Sequence, residues 1–443
     1  MPKVTKEDLL KKAEKPNQDA MRLHPFYKGK IEISPKCRVK DYDDFAIWYT
    51  PGVAAVCNDI HKNPETVFEH TNKSNMVAVV SDGTRVLGLG DIGPEGALPV
   101  MEGKGLLFKY LGGVDAFPIC LNTKEPDEII KTVRYLEPVF GGINLEDIEQ
   151  PKCFYILDKL RETMNIPVWH DDQQGTATVC LAGLVNALKI VGKKMEDIKI
   201  VLMGAGAANL RIGMLYMAYG AKPENIIFVD SKGTLHRNRE DLKNHAQKWR
   251  MCQATNGDNL VGTLEDALVG ADVLSAASRP GPDTMKKEWI SRMAKDSIVF
   301  VTANPIPEIW PWEAKEAGAR IVATGRSDFP NQVNNSLGFP GIFRGTLDVR
   351  ARTITDEMCI AAAEQLASCA EKKGLSEERI LPAMTEKEVF IEEAVAVGMK
   401  AIEQKVARLE PSRDELRKNA EFLINRAIKE TELKMREGVI KPG

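Results

Sequence analysis

Between residues 166 and 343, short apolar runs alternate with segments whose apolar positions recur at helical spacing. The runs "IKIVLMGAG", "NIIFVD", "ADVLSAAS", "SIVFVTANP" and "ARIVATG" predict successive parallel strands. Leu210–Tyr219 and Leu264–Leu268 predict helices between them. Such alternation implies βαβ units and an open parallel sheet. The pattern differs on either side. Residues 1–165 mix short helices, strands and many turns, with no internal repeat. From Asp356 onward the chain is charged and helical. In "EEAVAVGMKAIEQKVARL" and "ELRKNAEFLINRAIKETELKMRE" apolar residues share one face, which must pack against the body or another subunit.

Size and composition narrow the class. A chain of 443 residues is too long for one ordinary domain, so two or three units of roughly 100–200 residues are expected. With 43% apolar and 28% charged residues it reads as a soluble globular protein. A net charge of −3 leaves no basic surplus for nucleic acid or anionic lipid. No apolar run approaches the length that spans a bilayer, and no membrane partner is expected. The opening "MPKVTKEDLLKKAEKPNQDA" lacks the apolar core of a secretory signal and, with its acids, the character of a transit peptide. The cytoplasm is the expected compartment. Eight scattered cysteines form no C-x-x-C pair and read as free thiols, and none of the six histidines pairs with another at helical spacing.

Two glycine patterns compete for a dinucleotide. The literal G-x-G-x-x-G lies at Gly88–Gly93, but "SDGT" at 81–84 predicts a hairpin there and not a strand-to-helix crossover. Asp115 is about the right distance downstream but precedes an apolar run, where a ribose-binding acid should end one. In "IVLMGAGAAN" a clean strand runs into Gly204, Ala205, Gly206, Ala207, Ala208 and Asn209, then a helix. Gly204 permits the tight turn, and Gly206 lets backbone approach a pyrophosphate at the helix N-terminus. Asn209 stands where the third glycine is usual. A second strand ends at Asp230, whose carboxylate suits the ribose hydroxyls of NAD. Lys232, Arg237 and Arg239 follow and suit the 2′-phosphate of NADP, so both cofactors stay open.

Two adjacent acid pairs supply the candidate chemistry. Glu146-Asp147 and Asp171-Asp172 each precede a helix-like run, some 25 residues apart. Each pair alone reads as a helix cap. Together they suggest one cation site, and oxygen ligands without histidine or thiolate suit Mg²⁺ or Mn²⁺.

Several segments then coincide. "YTPGVAAVC", "SDGTRVLGLGDIGPEGALPVMEGK", "INLEDIEQPKCF", "HDDQQGTATVCLAGLVNAL", "GAGAAN", "TANPIPE" and "VNNSLGFPGIFRG" resemble the malic enzymes of compact prokaryotic type, over roughly Leu23 to Leu381. Asn209 and the tail after Leu381 depart from the pattern. The resemblance implies an α/β fold with a mixed α/β substrate domain (1–165), a Rossmann-type parallel-sheet NAD(P) domain (166–343) and a C-terminal helical segment (344–443). It implies oxidative decarboxylation of L-malate to pyruvate and CO2 with NAD⁺ or NADP⁺, and a homodimer or higher homo-oligomer.

By the same resemblance Glu146, Asp147 and Asp172 ligate the metal, Lys104 in "MEGKG" is the base, Asp171 orients that lysine, and Tyr49 is the general acid. Partial burial and a neighbouring cation are expected to lower the Lys104 pKa, and Asp171 to limit that drop. Arg85 is the candidate for a substrate carboxylate. Asn304, Asn334 and Asn335 are candidate substrate contacts, Asn304 also a cofactor contact. A non-decarboxylating dehydrogenase of similar architecture and an inactive dinucleotide sensor are the alternatives.

Overall fold

The structure, a computed structural model, describes residues 6–281, 284–304 and 306–443, with side chains from residue 15 onward. Helices α1 (Lys6–Tyr27), α2 (Asp44–Trp48), α3 (Val53–Lys62) and α4 (Val67–His70) lead into a first βαβ series. Strands β1 (Met76–Ser81), β2 (Asp115–Cys120), β3 (Gly142–Leu145) and β4 (Val168–His170) are joined by α5 (Gly93–Gly112), α6 (Pro126–Leu136) and α7 (Lys152–Thr163). They form a four-stranded sheet in the order β2-β1-β3-β4, parallel throughout. Val77 to Val80 of β1 and every residue of the short β3 are buried, so helices cover the sheet.

This arrangement corrects the expected hairpin at 81–84. β1 pairs in parallel with β2, so "SDGT" opens a strand-to-helix crossover through α5. Pro94 in the first turn of α5 is the start signal. Asp115 is bound by Lys109, Asn72 and Asn75 at the start of β2 and has a structural use.

From α8 (Thr176–Val191) the second series begins. It comprises β5 (Ile200–Met203), α9 (Ala207–Ala218), β6 (Ile226–Asp230), β7 (Gly233–Thr234), α10 (Ala246–Ala254), α11 (Leu264–Leu268) and β8 (Val273–Ala276). It continues through α12 (Lys287–Ile290), β9 (Ile298–Val301), α13 (Pro311–Glu316) and β10 (Ile321–Thr324). The six-stranded sheet has the order β10-β9-β8-β5-β6-β7, parallel except that the two-residue β7 runs antiparallel to β6. The strand order reverses beside β5, the place where open α/β sheets bind ligands.

Four helices close the chain: α14 (Phe339–Asp348), α15 (Asp356–Lys372), α16 (Lys387–Glu403) and α17 (Arg413–Arg436). They pack on the body. Leu111 of α5 shares a buried cluster with Phe390, Ile391 and Ala394 of α16 and Ala420 and Ile424 of α17. Two placements bear on the expected division at 165/166 and 343/344. β4 pairs with β3 in the first sheet, and α14 runs unbroken from Phe339 to Asp348. The helical stretch Asp171–Val191 is long and apolar enough to cross a bilayer, yet most of it is buried inside the protein. All eight cysteines are free thiols.

Candidate active site

The two acid pairs follow adjacent strands. Leu145 of β3 and His170 of β4 are register partners, and each is the last residue of its strand. The acids therefore leave the carboxyl edge of the sheet side by side. Oxygen atoms of Glu146, Asp147 and Asp172 lie within 4.8 Å of one another. Glu146 and Asp147 are buried, and Asp172 is partly exposed. Asp172 Oδ2 accepts a hydrogen bond from the Asp147 backbone N–H at 2.9 Å, and Asn144 Nδ2 donates to Glu146 Oε2 at 2.9 Å. Asp147 adopts a left-handed backbone at φ +54°, which turns the chain sharply enough to aim both acids inward.

Lys104 faces this cluster. It lies inside α5 and is only 8% exposed. Its ammonium bonds Asp171 directly, lies 3.1 Å from Glu146 Oε1, and sits over the Phe339 ring at 4.3 Å from the centroid. Burial works against its charge, yet Asp171 and Glu146 outweigh burial and hold the lysine above its usual range. The expected lowering by burial is therefore reversed in the chain by itself. Trp169 Nε1 donates to Asp171 Oδ1 at 3.0 Å and fixes the other side of that carboxylate. Phe339, Phe108, Phe343 and Trp169 form one aromatic cluster beneath the pair.

The charge count asks for a cation. Four carboxylates meet here, and among the described residues Lys104 is the one ammonium bonded to them. Burial lifts the Glu146 carboxyl well above its usual range, against the pull of Lys104. Burial and then the neighbouring Asp172 push Asp147 up to about 8. Asp147 Oδ2 is buried with no hydrogen-bond partner among the described residues. Three convergent carboxylates, one of them with an orphaned oxygen, fit a hard divalent ion. His170, whose ring nitrogens also lack hydrogen-bond partners there, is kept neutral by burial.

Asp171 to Gly175 form a π-helical turn before α8. A β-carbon on Gly175 would also meet the Cβ of Asn335, at 3.2 Å, which places Asn335 against the Asp171 turn. Asn334 is occupied locally: its Oδ1 accepts from the Ser336 N–H at 2.9 Å. Asn304 lies beyond the end of β9 and touches Gly325. Arg85 is exposed, its backbone N–H donates to the Asp147 carbonyl at 2.9 Å, and its charge acts on the Asp147 carboxyl. Tyr49 does not join the cluster. It is 73% exposed, and its side chain makes no hydrogen bond among the described residues.

The glycine turn takes the expected form. Gly204 has φ +97°, and a β-carbon there would strike the Ala277 carbonyl oxygen at 2.5 Å. Gly206 caps α9, and a β-carbon on it would meet nothing within 4 Å, which leaves approach space at the helix N-terminus. Ala205 is buried, and Ala207 and Ala208 are partly exposed along the turn. Asn209 has a local use in the turn. Its carboxamide is wholly buried, donates to the Met203 carbonyl at 2.6 Å and reaches Ser275, so it pins the turn to the strands.

Arg239 holds Asp230 with two bonds, of 3.0 and 2.9 Å, and also binds Asp241. Lys232 donates its backbone N–H to Asp230 and its ammonium to Asp241. The residues that reading by pattern missed are the supports: Gly175, Trp169, Asn144, Phe339 and the buried ion pair Asp82–Lys152 at 2.7 Å.

The sheet, its switch point and the glycine turn define a dinucleotide-binding α/β protein. Residues 28–161 match the malic enzyme N-terminal domain, and residues 173–402 match the malic enzyme NAD binding domain. The chain is 52% identical over 396 residues to the bifunctional malic/malolactic enzyme of Bacillus subtilis (strain 168), covering 88% of this chain and 94% of that protein. It is 53% identical over 380 residues to the NAD-dependent malic enzyme of Geobacillus stearothermophilus, covering 86% and 78%. The crystal structure of Entamoeba histolytica malic enzyme superposes with a TM-score of 0.96 at 48% identity, over 100% of this chain and 93% of that one. The chain belongs to the malic enzyme family.

Proposed function

We propose that this protein catalyses the metal-dependent oxidative decarboxylation of L-malate to pyruvate and CO2, with reduction of NAD⁺ or NADP⁺. The observation that carries the reading is the meeting of Glu146, Asp147 and Asp172 beside the Lys104–Asp171 pair. When bound, Mg²⁺ or Mn²⁺ supplies Lewis-acid polarisation at the substrate C2 oxygen, and the nicotinamide supplies the hydride acceptor. Glu146, Asp147 and Asp172 would hold the ion.

Lys104 takes the proton of the C2 hydroxyl as hydride leaves C2. Asp171, braced by Trp169, keeps the lysine nitrogen in line. A base in this position must shed a proton that Asp171 and Glu146 favour, and positive charge drawn to those carboxylates weakens their hold. The C3–CO2 bond then breaks and its electron pair moves toward the C2 oxygen. Arg85 grips a substrate carboxylate, and Asn335, with Asn304 and Asn334, lines the nicotinamide side. Tyr49 gives C3 its proton.

Of the two nicotinamide cofactors, NAD fits better. Asp230 ends β6 with its side chain 10% exposed and held by Arg239, whose guanidinium is shared with Asp241. An arginine already engaged by two carboxylates is not free for a 2′-phosphate. We assign the chain to a homodimer or higher assembly.

Initial rates with malate and each cofactor, with and without Mn²⁺, test the reading. Release of CO2 that stops on chelation supports it. Metal-independent oxidation without CO2 would instead favour a non-decarboxylating dehydrogenase.

A further inference from the structure

The loop that carries Arg85 and the turn that carries Asp147 are laced together in opposite directions. The Arg85 N–H donates to the Asp147 carbonyl at 2.9 Å. The Glu149 N–H donates to Thr84 Oγ1 at 3.0 Å. Lys152 Nζ lies 2.7 Å from Asp82 Oδ2. Residues 82, 84 and 85 thus stand against 152, 149 and 147. Within the loop, Asp82 Oδ1 accepts from the Thr84 N–H at 3.1 Å and from its hydroxyl at 2.6 Å. Asp82 therefore holds the residue next to Arg85 with one oxygen and the facing turn with the other.

Stability alone does not account for this pair. The Asp82 side chain is wholly buried, and that of Lys152 is 12% exposed. The desolvation cost of two buried charges about cancels their attraction, and a packed apolar pair would hold as well. Lys152 is also the first residue of α7, where the helix dipole disfavours a cation. What the ion pair adds is geometry, since nitrogen and oxygen must meet at one place. The Lys152 ammonium further donates to the Lys124 carbonyl at 3.1 Å, and Lys124 pairs with Asp91 at the far end of the same loop. Between these two pins Arg85 stays exposed.

We propose that Asp82 and Lys152 are positioning residues: they fix Arg85 relative to the acid turn and so set the grip on malate. The inference rests on the reading of Arg85 as the residue that holds a substrate carboxylate. A guanidinium fork binds a carboxylate through two parallel bonds, so a small drift of its backbone weakens both. Breaking the pair frees the Arg85 side of the lacing more than the acid side. Glu146 and Asp147 follow a strand anchored on both flanks, where Leu145 is the register partner of Val80 and of His170 and the Glu146 N–H donates to the Val80 carbonyl at 2.8 Å. The loss therefore falls on the hold on malate and spares the cofactor.

The test is a mutant cycle read in malate kinetics. Asp82→Asn keeps an acceptor for Thr84 and removes the charge that Lys152 meets. It should lower kcat/KM for malate by about 10- to 100-fold, mostly through KM, with NADH binding unchanged. Arg85→Gln should raise the malate KM as well. Combined, the two changes should raise KM no further than Arg85→Gln alone, because Asp82 acts through Arg85. Effects that multiply independently overturn the proposal, as does a wild-type malate KM in Asp82→Asn. If Asp82→Asn alone folds poorly, the pair Asp82→Asn and Lys152→Met, which leaves no charge unmatched, should recover the urea midpoint and keep the raised KM. Recovery of both would make the ion pair a stabiliser only, and the proposal falls. Arg85→Gln with an unchanged KM would instead remove the carboxylate reading, and the proposal with it.

Discussion

Gly175 lies so close to Asp171 that a β-carbon on it would come within 2.0 Å of Asp171 Oδ1. The carboxylate that binds Lys104 therefore occupies the space a side chain would need. Gly175→Ala must push Asp171, and with it the lysine nitrogen, off line. A displacement of about 1 Å at such a site costs on the order of 10²-fold in rate. Turnover should fall by about that factor, with NADH binding, followed by fluorescence titration, unchanged. Wild-type turnover in the alanine variant would show that Asp171 has room to spare.

Mn²⁺ should stabilise the wild-type protein against heat. An ion that binds only the folded chain adds about 2.7 kcal/mol at a hundredfold excess over Kd. Asp172→Asn removes one of three oxygens and should abolish most of the melting shift without altering the metal-free melting temperature much, since Asp172 is partly exposed. Equal shifts in both proteins would place the ion elsewhere.

Asp230 should set cofactor choice. Losing a carboxylate that accepts from ribose hydroxyls costs about 1.5–3 kcal/mol, so Asp230→Ser should lower kcat/KM for NAD⁺ by roughly 10- to 100-fold. It also frees Arg239, so NADP⁺ should improve. A wild-type enzyme that already prefers NADP⁺ would refute the assignment.

Stability should decline as pH rises, through Glu393. This residue of α16 is wholly buried against Gly341 of α14, and neither carboxylate oxygen has a hydrogen-bond partner among the described residues. Burial holds its folded pKa well above the ordinary 4.5. The folded state thus keeps a proton that the unfolded state releases. The stabilisation is fully present below 4.5 and is lost from there upward toward the folded value. Glu393→Gln should flatten that part of the profile, seen in urea melts from about pH 5 to 9. Parallel profiles for the two proteins would mean Glu393 does not titrate with folding.

How far the sequence carried depended on strand length and on distance along the chain. In the second sheet the apolar runs were long and evenly spaced, and "NIIFVD" and the Leu264–Leu268 helix lie where the pattern put them. The first sheet was harder: β3 has four residues and β4 three, too few to show a period. The hairpin reading failed because turn residues look alike whether a strand or a helix follows. The depth of Lys104 left no mark in "MEGKG": Gly105 serves close packing inside a helix, where a β-carbon would lie 3.1 Å from the Ala116 carbonyl oxygen. Acid pairs and the glycine turn were legible as local words. The supports from Asn144, Trp169 and Phe339, and the remoteness of Tyr49, are relations between distant segments and leave no local mark.

The Leu145–His170 rung has a practical reach. Because that last pairing aligns both acid doublets, the length of the α7 connection between them is immaterial to their meeting. Insertions at the surface end of that crossover should be harmless. A single residue gained or lost inside either strand, by contrast, would rotate its carboxylates to the opposite face of the sheet and dismantle the site at one stroke.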